Sequence, residues 1–134
     1  MRQWPLLNSY NMPFVQPQVK REHHQIDAAG QAPGRLASEI ARLLQGKHKV
    51  CYEPQWDLGD SVVISNVDKM KVTDKKGMQK IYYHYSGYPG GMKERKLRDV
   101  FAERPERVLY MAVYRMLPKN RLRDRMIKRL VIKR

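Results

Sequence analysis

The stretch "GDSVVISN", residues 59–66, decides the fold class of this chain. It follows a turn signal, and its centre holds Val62, Val63 and Ile64, three consecutive β-branched apolar residues. Such a run is typical of a strand that is covered on both faces. Because helical patterns lie on either side of it, we predict an α/β fold around a small, mainly parallel sheet.

The segment before this strand, residues 24–49, predicts a short strand, a Gly/Pro turn and then an amphipathic helix. Apolar residues of the helix fall at i, i+4, i+7 and i+8 and form one stripe. They are Leu36, Ile40, Leu43 and Leu44. We expect the helix to end at Gly46, since glycine is the usual residue just beyond a helix.

The second half of the chain continues the alternation. Residues 70–72 predict a short further strand, and residues 79–86 predict a strand that leads into a glycine-rich loop. A helix is expected to begin at Pro105, a favoured first helical residue, and to stop before Pro118. The terminal segment should begin as a helix and switch to a strand near Lys128.

The amino-terminal segment differs in composition, so we assign residues 1–24 to an extended arm and residues 25–134 to a single domain. Residues 1–21 contain three prolines, three basic residues and no acid, without helical or strand periodicity. An organellar targeting remnant is the alternative interpretation of this composition. No apolar run approaches the ~20 residues that cross a bilayer, so no membrane insertion is expected. The single Cys51 cannot form an internal disulfide and fits a reducing compartment.

The charge of the chain predicts a polyanionic partner. Lys and Arg number 27 against 13 Asp and Glu, which gives a formal net charge of +14 on 134 residues. The final segment from Lys119 onward contains eight basic residues and a single acid, Asp124. Cations at this density repel one another unless an anion lies against them. A basic membrane-surface or acidic-protein binding module remains the alternative.

The segment at residues 80–96 combines tyrosines, glycines and cations around one loop. Glycines let backbone amides approach phosphates, tyrosines can stack, and cations neutralise the nucleic-acid backbone. This combination favours folded RNA. The structural alternative is a hairpin whose tyrosines pack into the core.

Enzymatic and metal-binding patterns are weak. The sequence "GQAPG" lacks the spacing of a dinucleotide or P-loop site, and there is no C-x-x-C or H-E-x-x-H motif. His23 and His24 are neighbours whose side chains point apart on regular structure, so we expect no metal site. A nuclease would need His84 beside Asp57 or Asp60. We therefore predict no enzyme, no cofactor and no small-molecule substrate.

Several motifs together resemble the large-subunit ribosomal protein thirteen family. They are "DAAGQAPGRLASEIARLLQGKHK", "GDSVVISN", "KIYYHYSGYPGGMKE" and "MLPKNRLRDRMIKRLVI", in the family's order and spacing from about Gln25 to Ile132. The resemblance implies a three-layer α/β/α fold with about four strands and a structural, early-assembling role in the large ribosomal subunit. It also implies large-subunit ribosomal RNA and neighbouring ribosomal proteins as partners.

The resemblance and the charge pattern together give the expected rRNA-binding residues. They fall in the loop after the first helix, the glycine-rich loop and the terminal basic segment. They are Lys47, His48, Lys49, His84, Tyr85, Ser86, Gly87, Tyr88, Gly90, Gly91, Lys93, Lys119, Asn120, Arg121, Arg123, Arg125, Lys128 and Arg129.

The chain also departs from the family pattern. Arg115 and Arg123 stand where the family usually has glycine, and residues 73–76 replace a T-G-N-K-like turn. Bacterial members continue past the last strand to a His-Pro-His-like segment, whereas this sequence ends at Arg134. The added arginines and the proline-containing arm favour a mitochondrial ribosome, with a bacterial ribosome as the alternative.

Overall fold

The computed structural model describes residues 19–134, in which five strands and five α-helices alternate with one short 3-10 turn. In chain order the elements are β1 (His23–Asp27), α1 (Pro33–Gln45), β2 (Ser61–Ser65), the 3-10 turn (Val67–Lys69), α2 (Asp74–Gln79), β3 (Ile81–Tyr85), β4 (Met92–Lys96), α3 (Leu97–Glu103), α4 (Pro105–Met116), α5 (Arg123–Ile127) and β5 (Leu130–Ile132). Most of the predicted arm lies outside the described residues. β1 begins at His23, so the last two residues assigned to the arm belong to the sheet.

The central sheet is parallel, in the order β1-β2-β5. Val62 of the middle strand lies opposite His24 on one side and Leu130 on the other. The mixed α/β fold with a small, mainly parallel sheet is confirmed. Residues 70–72 do not form the predicted strand; Met70 is 5% exposed in the core, and the Lys71 amide donates to the Gln31 carbonyl over 3.0 Å.

One face of this sheet carries the main core. Val62 and Ile64 are fully buried, and they share the core with apolar residues of α1, α4 and α5. The opposite face is only partly covered within residues 19–134, because Val63 is half-buried and Val131 is 47% exposed. β2 was expected to be buried on both faces. It is fully buried on one face and half-buried on the other. The helical layer that the structure describes packs on that face.

The predicted ends of the first and the last helix are confirmed. α1 stops at Gln45 because Gly46 adopts a left-handed conformation with φ of 79°, and its amide donates to the Arg42 and Leu43 carbonyls. α5 ends at Ile127 and β5 begins at Leu130, which confirms the switch near Lys128.

The segment after α2 forms a separate antiparallel hairpin, β3-β4. Tyr82 of β3 is 8% exposed and packs with residues of α3 and α4 in a second, smaller core. Two adjacent residues of α4 serve the two cores: Val108 packs in the small one and Leu109 in the main one. α4 thus joins the hairpin to the parallel sheet.

Candidate nucleic-acid interface

The turn after α4 is fixed by contacts within the protein. The Asn120 side-chain oxygen accepts a hydrogen bond from the Arg123 amide over 3.1 Å, and Arg123 Nε donates to the Pro118 carbonyl over 3.0 Å. The Arg123 guanidinium also lies over the Tyr114 ring, 4.6 Å from its centroid. Of the predicted site residues here, Asn120 and Arg123 hold the turn in shape.

Four cations project from this turn, from α5 and from the residue just after α5. Lys119, Arg121, Arg125 and Lys128 are exposed, and within residues 19–134 they make no side-chain hydrogen bond or ion pair. We call these four residues the terminal cationic surface. Because their charges are not neutralised by the described part of the protein, they are available to an external anion.

The loop after α1 behaves differently from its predicted role. Lys47 is exposed, but His48 and Lys49 turn toward Asp60, whose side chain is fully buried. Lys49 Nζ donates to an Asp60 carboxylate oxygen over 2.5 Å and to the Lys20 and Leu58 carbonyls. The Lys49 charge therefore stabilises the fold.

Asp60 is the anchor of this loop. Burial raises the pKa of its carboxyl, but hydrogen bonds from Lys49, from the Glu22 amide and from His24 outweigh burial, so that the pKa lies well below its usual value. The Glu22 amide is 3.0 Å away and His24 Nε2 is 3.1 Å away. Asp60 thereby ties β1 and the loop after α1 to the start of β2.

Arg129 was predicted to face RNA, but its side chain is only 11% exposed. It forms a bidentate ion pair with Asp57 and donates hydrogen bonds to the backbone carbonyls of Leu44 and Asp60. Its guanidinium thus links the chain before β5 to α1 and β2. The prediction counted Arg129 among the RNA-binding cations of the terminal basic segment, because the local sequence does not reveal a distant acid.

The glycine-rich loop forms the tip of the β3-β4 hairpin. Gly87 and Gly90 have φ of 91° and 75°, a region that favours glycine. At Gly91 an added Cβ would stand 2.0 Å from the Ser86 hydroxyl oxygen. Both requirements explain why the loop is built from glycines.

The hairpin exposes most of its tyrosines. Tyr83, Tyr85 and Tyr88 are 58%, 59% and 75% exposed, whereas Tyr82 is buried. The alternative in which the tyrosines pack into the core therefore holds for Tyr82 alone. The exposed rings are available for stacking.

His84 and Lys93 are paired across the hairpin and line a cavity of about 280 Å³ against α3 and α4. Neither Asp57 nor Asp60 lines this cavity. His84 therefore does not meet Asp57 or Asp60, the acids named above for a nuclease, in this cavity.

Two of the three predicted loops share one edge of the molecule. Lys47 lines a groove together with Met116, Pro118 and Asn120. This groove lies at the end of α1, beside the amino ends of the parallel strands. The glycine-rich tip belongs to the separate hairpin.

Among the described helices, none has both the length and the apolar character that a bilayer span requires.

Known proteins resemble this chain along most of its length. The family described as Ribosomal protein L13 matches residues 21–132. A relative from Aquifex aeolicus, "Large ribosomal subunit protein uL13", is 52% identical over 117 residues, which cover 87% of this chain and 81% of the relative. Proteins of the same name from Syntrophus aciditrophicus and Thermotoga maritima are 53% and 49% identical over 115 and 120 residues. These matches cover 86% and 89% of this chain and 81% and 80% of the two relatives.

Proposed function

The chain belongs to the ribosomal protein L13 family, and we propose that it is a structural constituent of the large ribosomal subunit that binds and stabilises large-subunit ribosomal RNA. Membership in a family of structural ribosomal proteins confirms the prediction that it is not an enzyme. Ribosomal RNA and neighbouring ribosomal proteins are the proposed partners, and assistance in subunit assembly is part of the same proposal.

The observation that carries this proposal is the terminal cationic surface on a rigid turn. Its cations have no counter-ion among residues 19–134, while the turn beneath them is held by Asn120 and Arg123. A fixed array of cations neutralises phosphates without first losing the entropy of ordering its own backbone. RNA, with one charge per nucleotide, suits such an array.

We propose that three elements contact RNA. They are the terminal cationic surface, Lys47 on the neighbouring loop, and the hairpin tip with its exposed tyrosines. The tip would present glycine backbone to phosphate and Tyr85 and Tyr88 to unstacked bases. Lys49 and Arg129 are left out of this interface because their charges are used inside the protein. His84 and Lys93 stay in the proposal as residues at the mouth of the hairpin cavity.

Two arginines that distinguish this chain from the family pattern have partners within it. Arg115 lies over the Tyr82 ring, 5.7 Å from the centroid, and Arg123 lies over Tyr114. Their presence is explained by packing as well as by RNA, so they do not by themselves favour a mitochondrial ribosome. The three relatives named above are bacterial, which supports a bacterial ribosome. The mitochondrial ribosome, predicted from the proline-containing arm and the arginines, is the alternative.

Binding to large-subunit rRNA at several salt concentrations tests the proposal. Replacing Lys119, Arg121 and Arg125 together by alanine should weaken binding and reduce the slope of log K against log salt by about 2–3, the contribution of three phosphate contacts. The circular dichroism spectrum should stay nearly unchanged, since these side chains make no hydrogen bond or ion pair within residues 19–134. A loss of folded signal would instead assign them a structural role.

A matched control separates location from net charge. Arg35, Lys69 and Lys71 are also exposed, but they lie near the start of α1, and the 13 residues of that helix put about 20 Å between them and the terminal turn. Their triple alanine variant removes the same charge and should bind nearly as the wild type does. Equal weakening by both variants, or a flat salt response, would contradict the proposed interface. Preference for anionic vesicles over rRNA in competition would favour the membrane-surface alternative.

Co-sedimentation tests the compartment. The protein should travel with large ribosomal subunits of the bacterial source cell. Recovery with large subunits from mitochondria of a eukaryotic source would support the alternative instead.

A further inference from the structure

Two histidines from distant parts of the sequence converge on the buried Asp60. His24 Nε2 and His48 Nε2 lie 3.1 Å and 2.8 Å from the same carboxylate oxygen, Oδ2. The three potential ligand atoms all lie within 4.8 Å of one another. The histidine side chains are 29% and 22% exposed, so the cluster is shielded and still reachable from solvent.

His48 is unusual within this cluster because its ring nitrogens are buried and not hydrogen-bonded. Nδ1 and Nε2 both lack a hydrogen-bond partner within residues 19–134. The 2.8 Å separation between Nε2 and Asp60 Oδ2 is short, but the two groups are not aligned as donor and acceptor. Buried polar atoms are nearly always satisfied, and an exception calls for a water molecule, an ion or strain. A shared ion satisfies Nε2 without requiring it to point at the carboxylate.

We propose that His24, His48 and Asp60 form a binding site for a divalent transition-metal ion of the zinc class. Imidazole nitrogen and carboxylate oxygen are ligands that such ions accept, and two histidines with one carboxylate leave a fourth position for water. Ligand atoms at about 2.0–2.1 Å from a tetrahedral ion stand about 3.3 Å apart. The two histidine–carboxylate distances, 2.8 Å and 3.1 Å, lie within a few tenths of an ångström of that separation, and all three ligand atoms lie within 4.8 Å of one another.

The other oxygen of the carboxylate is already oriented by the protein. Asp60 Oδ1 accepts hydrogen bonds from the Glu22 amide and from Lys49, which leaves Oδ2 directed to the histidines. Such hydrogen bonds to a ligating carboxylate are a regular feature of metal sites. The Lys49 ammonium also repels a divalent ion, so binding should be weaker than in a closed four-ligand site.

This proposal is independent of rRNA binding, because it depends only on contacts beneath the loop after α1. Co²⁺ is a suitable probe, since its visible absorption reports tetrahedral coordination, and Zn²⁺ should displace it. The test uses the full chain in a Cys51→Ser background, because Cys51 is an exposed thiol that could hold either ion. The expected result is one ion per chain.

The four histidines of the chain provide both test and control variants. Separate His24→Gln and His48→Gln substitutions should each lower Co²⁺ affinity at least ~10-fold, because loss of even an outer-shell partner of a metal ligand costs about 10–100-fold. His23→Gln and His84→Gln remove the same side chain elsewhere and should bind as the parent does. Circular dichroism of each variant without metal checks that it folds.

The loaded protein gives a second readout. Histidine ring ¹⁵N shifts should change at His24 and His48 on addition of Zn²⁺ and remain constant at His23 and His84. Failure of the parent to bind Co²⁺ or Zn²⁺, or equal binding by all four variants, would overturn the proposal. Neither result would bear on the rRNA proposal, whose variants lie on the terminal cationic surface.

Discussion

Replacing Asp60 by asparagine should destabilise the protein strongly, although the two side chains have nearly the same shape. The substitution leaves the Lys49 ammonium, 15% exposed, without its counter-ion, and the new amide NH₂ must face either Lys49 or the histidines. Removing one partner of a buried ion pair costs about 3–5 kcal/mol. Because Lys49 keeps hydrogen bonds to the Lys20 and Leu58 carbonyls, we expect a loss of about 2–4 kcal/mol in the free energy of unfolding.

The effect should also depend on pH in a defined direction. The pKa of Asp60 is lowered by folding, so its ionised form contributes stability above the unfolded-state pKa of 3.8, and this contribution is lost as the pH falls below that value. The difference between wild type and Asp60→Asn should therefore narrow below pH 3.8 by about 1.4 kcal/mol per pH unit, until Asp60 titrates in the folded state.

Urea unfolding followed by circular dichroism at pH 7 and pH 3, with EDTA present, measures both quantities. Asp68→Asn is the matched control because Asp68 is exposed on the 3-10 turn, and it should change the free energy of unfolding by less than about 0.5 kcal/mol. An Asp60→Asn protein as stable as this control, or a stability difference that grows in acid, would refute the reasoning.

Three other substitutions test the packing of α1 and of the chain around β2. Gly59→Ala would set a Cβ 1.7 Å from a backbone oxygen at the end of α1 and should cost at least about 3 kcal/mol or prevent folding, as measured by thermal unfolding. Gly34→Ala meets nothing within 4 Å and lies in α1, so the same assay should show about 0.5–1 kcal/mol of stabilisation. Arg129→Met leaves the Asp57 carboxylate, 14% exposed, with Arg21 at 3.6 Å as its one ion-pair partner among residues 19–134. The substitution should lower the free energy of urea unfolding by about 2–4 kcal/mol; a neutral result would show that Arg21 replaces Arg129.

Local chemistry explains what the sequence could predict. Gly46 ends α1 in a left-handed conformation. Glycine is the residue that most often adopts this conformation after a helix, so the sequence alone indicates the helix end. The switch near Lys128 and the start of α4 at Pro105 are also local signals. These features depend on a few neighbouring residues, so a single sequence contains the information.

The ion pairs could not be predicted in the same way. Arg129 lies 72 residues from Asp57, and nothing in the basic terminal segment distinguishes it from the exposed Arg125. Its pairing depends on β5 lying beside β2, which only the assembled sheet provides. The sequence did offer one signal: acids are scarce in this chain, and two of them, Asp57 and Asp60, flank the turn before the buried strand.

The histidine cluster was missed for a related reason. His24 was compared with its neighbour His23, whose side chain a strand directs to the opposite face. The partner that matters is His48, which arrives from the loop after α1. Spacing along the chain therefore argued against a metal site that tertiary proximity makes possible.

Helix α4 has a consequence for how the hairpin and the terminal cationic surface, both proposed to contact RNA, would meet a partner. Since Val108 seals the hairpin's core and Leu109 seals the main one, the hairpin cannot swing away without exposing an apolar side chain to water. α4 thus fixes the distance between the hairpin and the turn that follows this helix. A folded RNA would have to match that distance, so the protein would bind RNAs of one shape in preference to others.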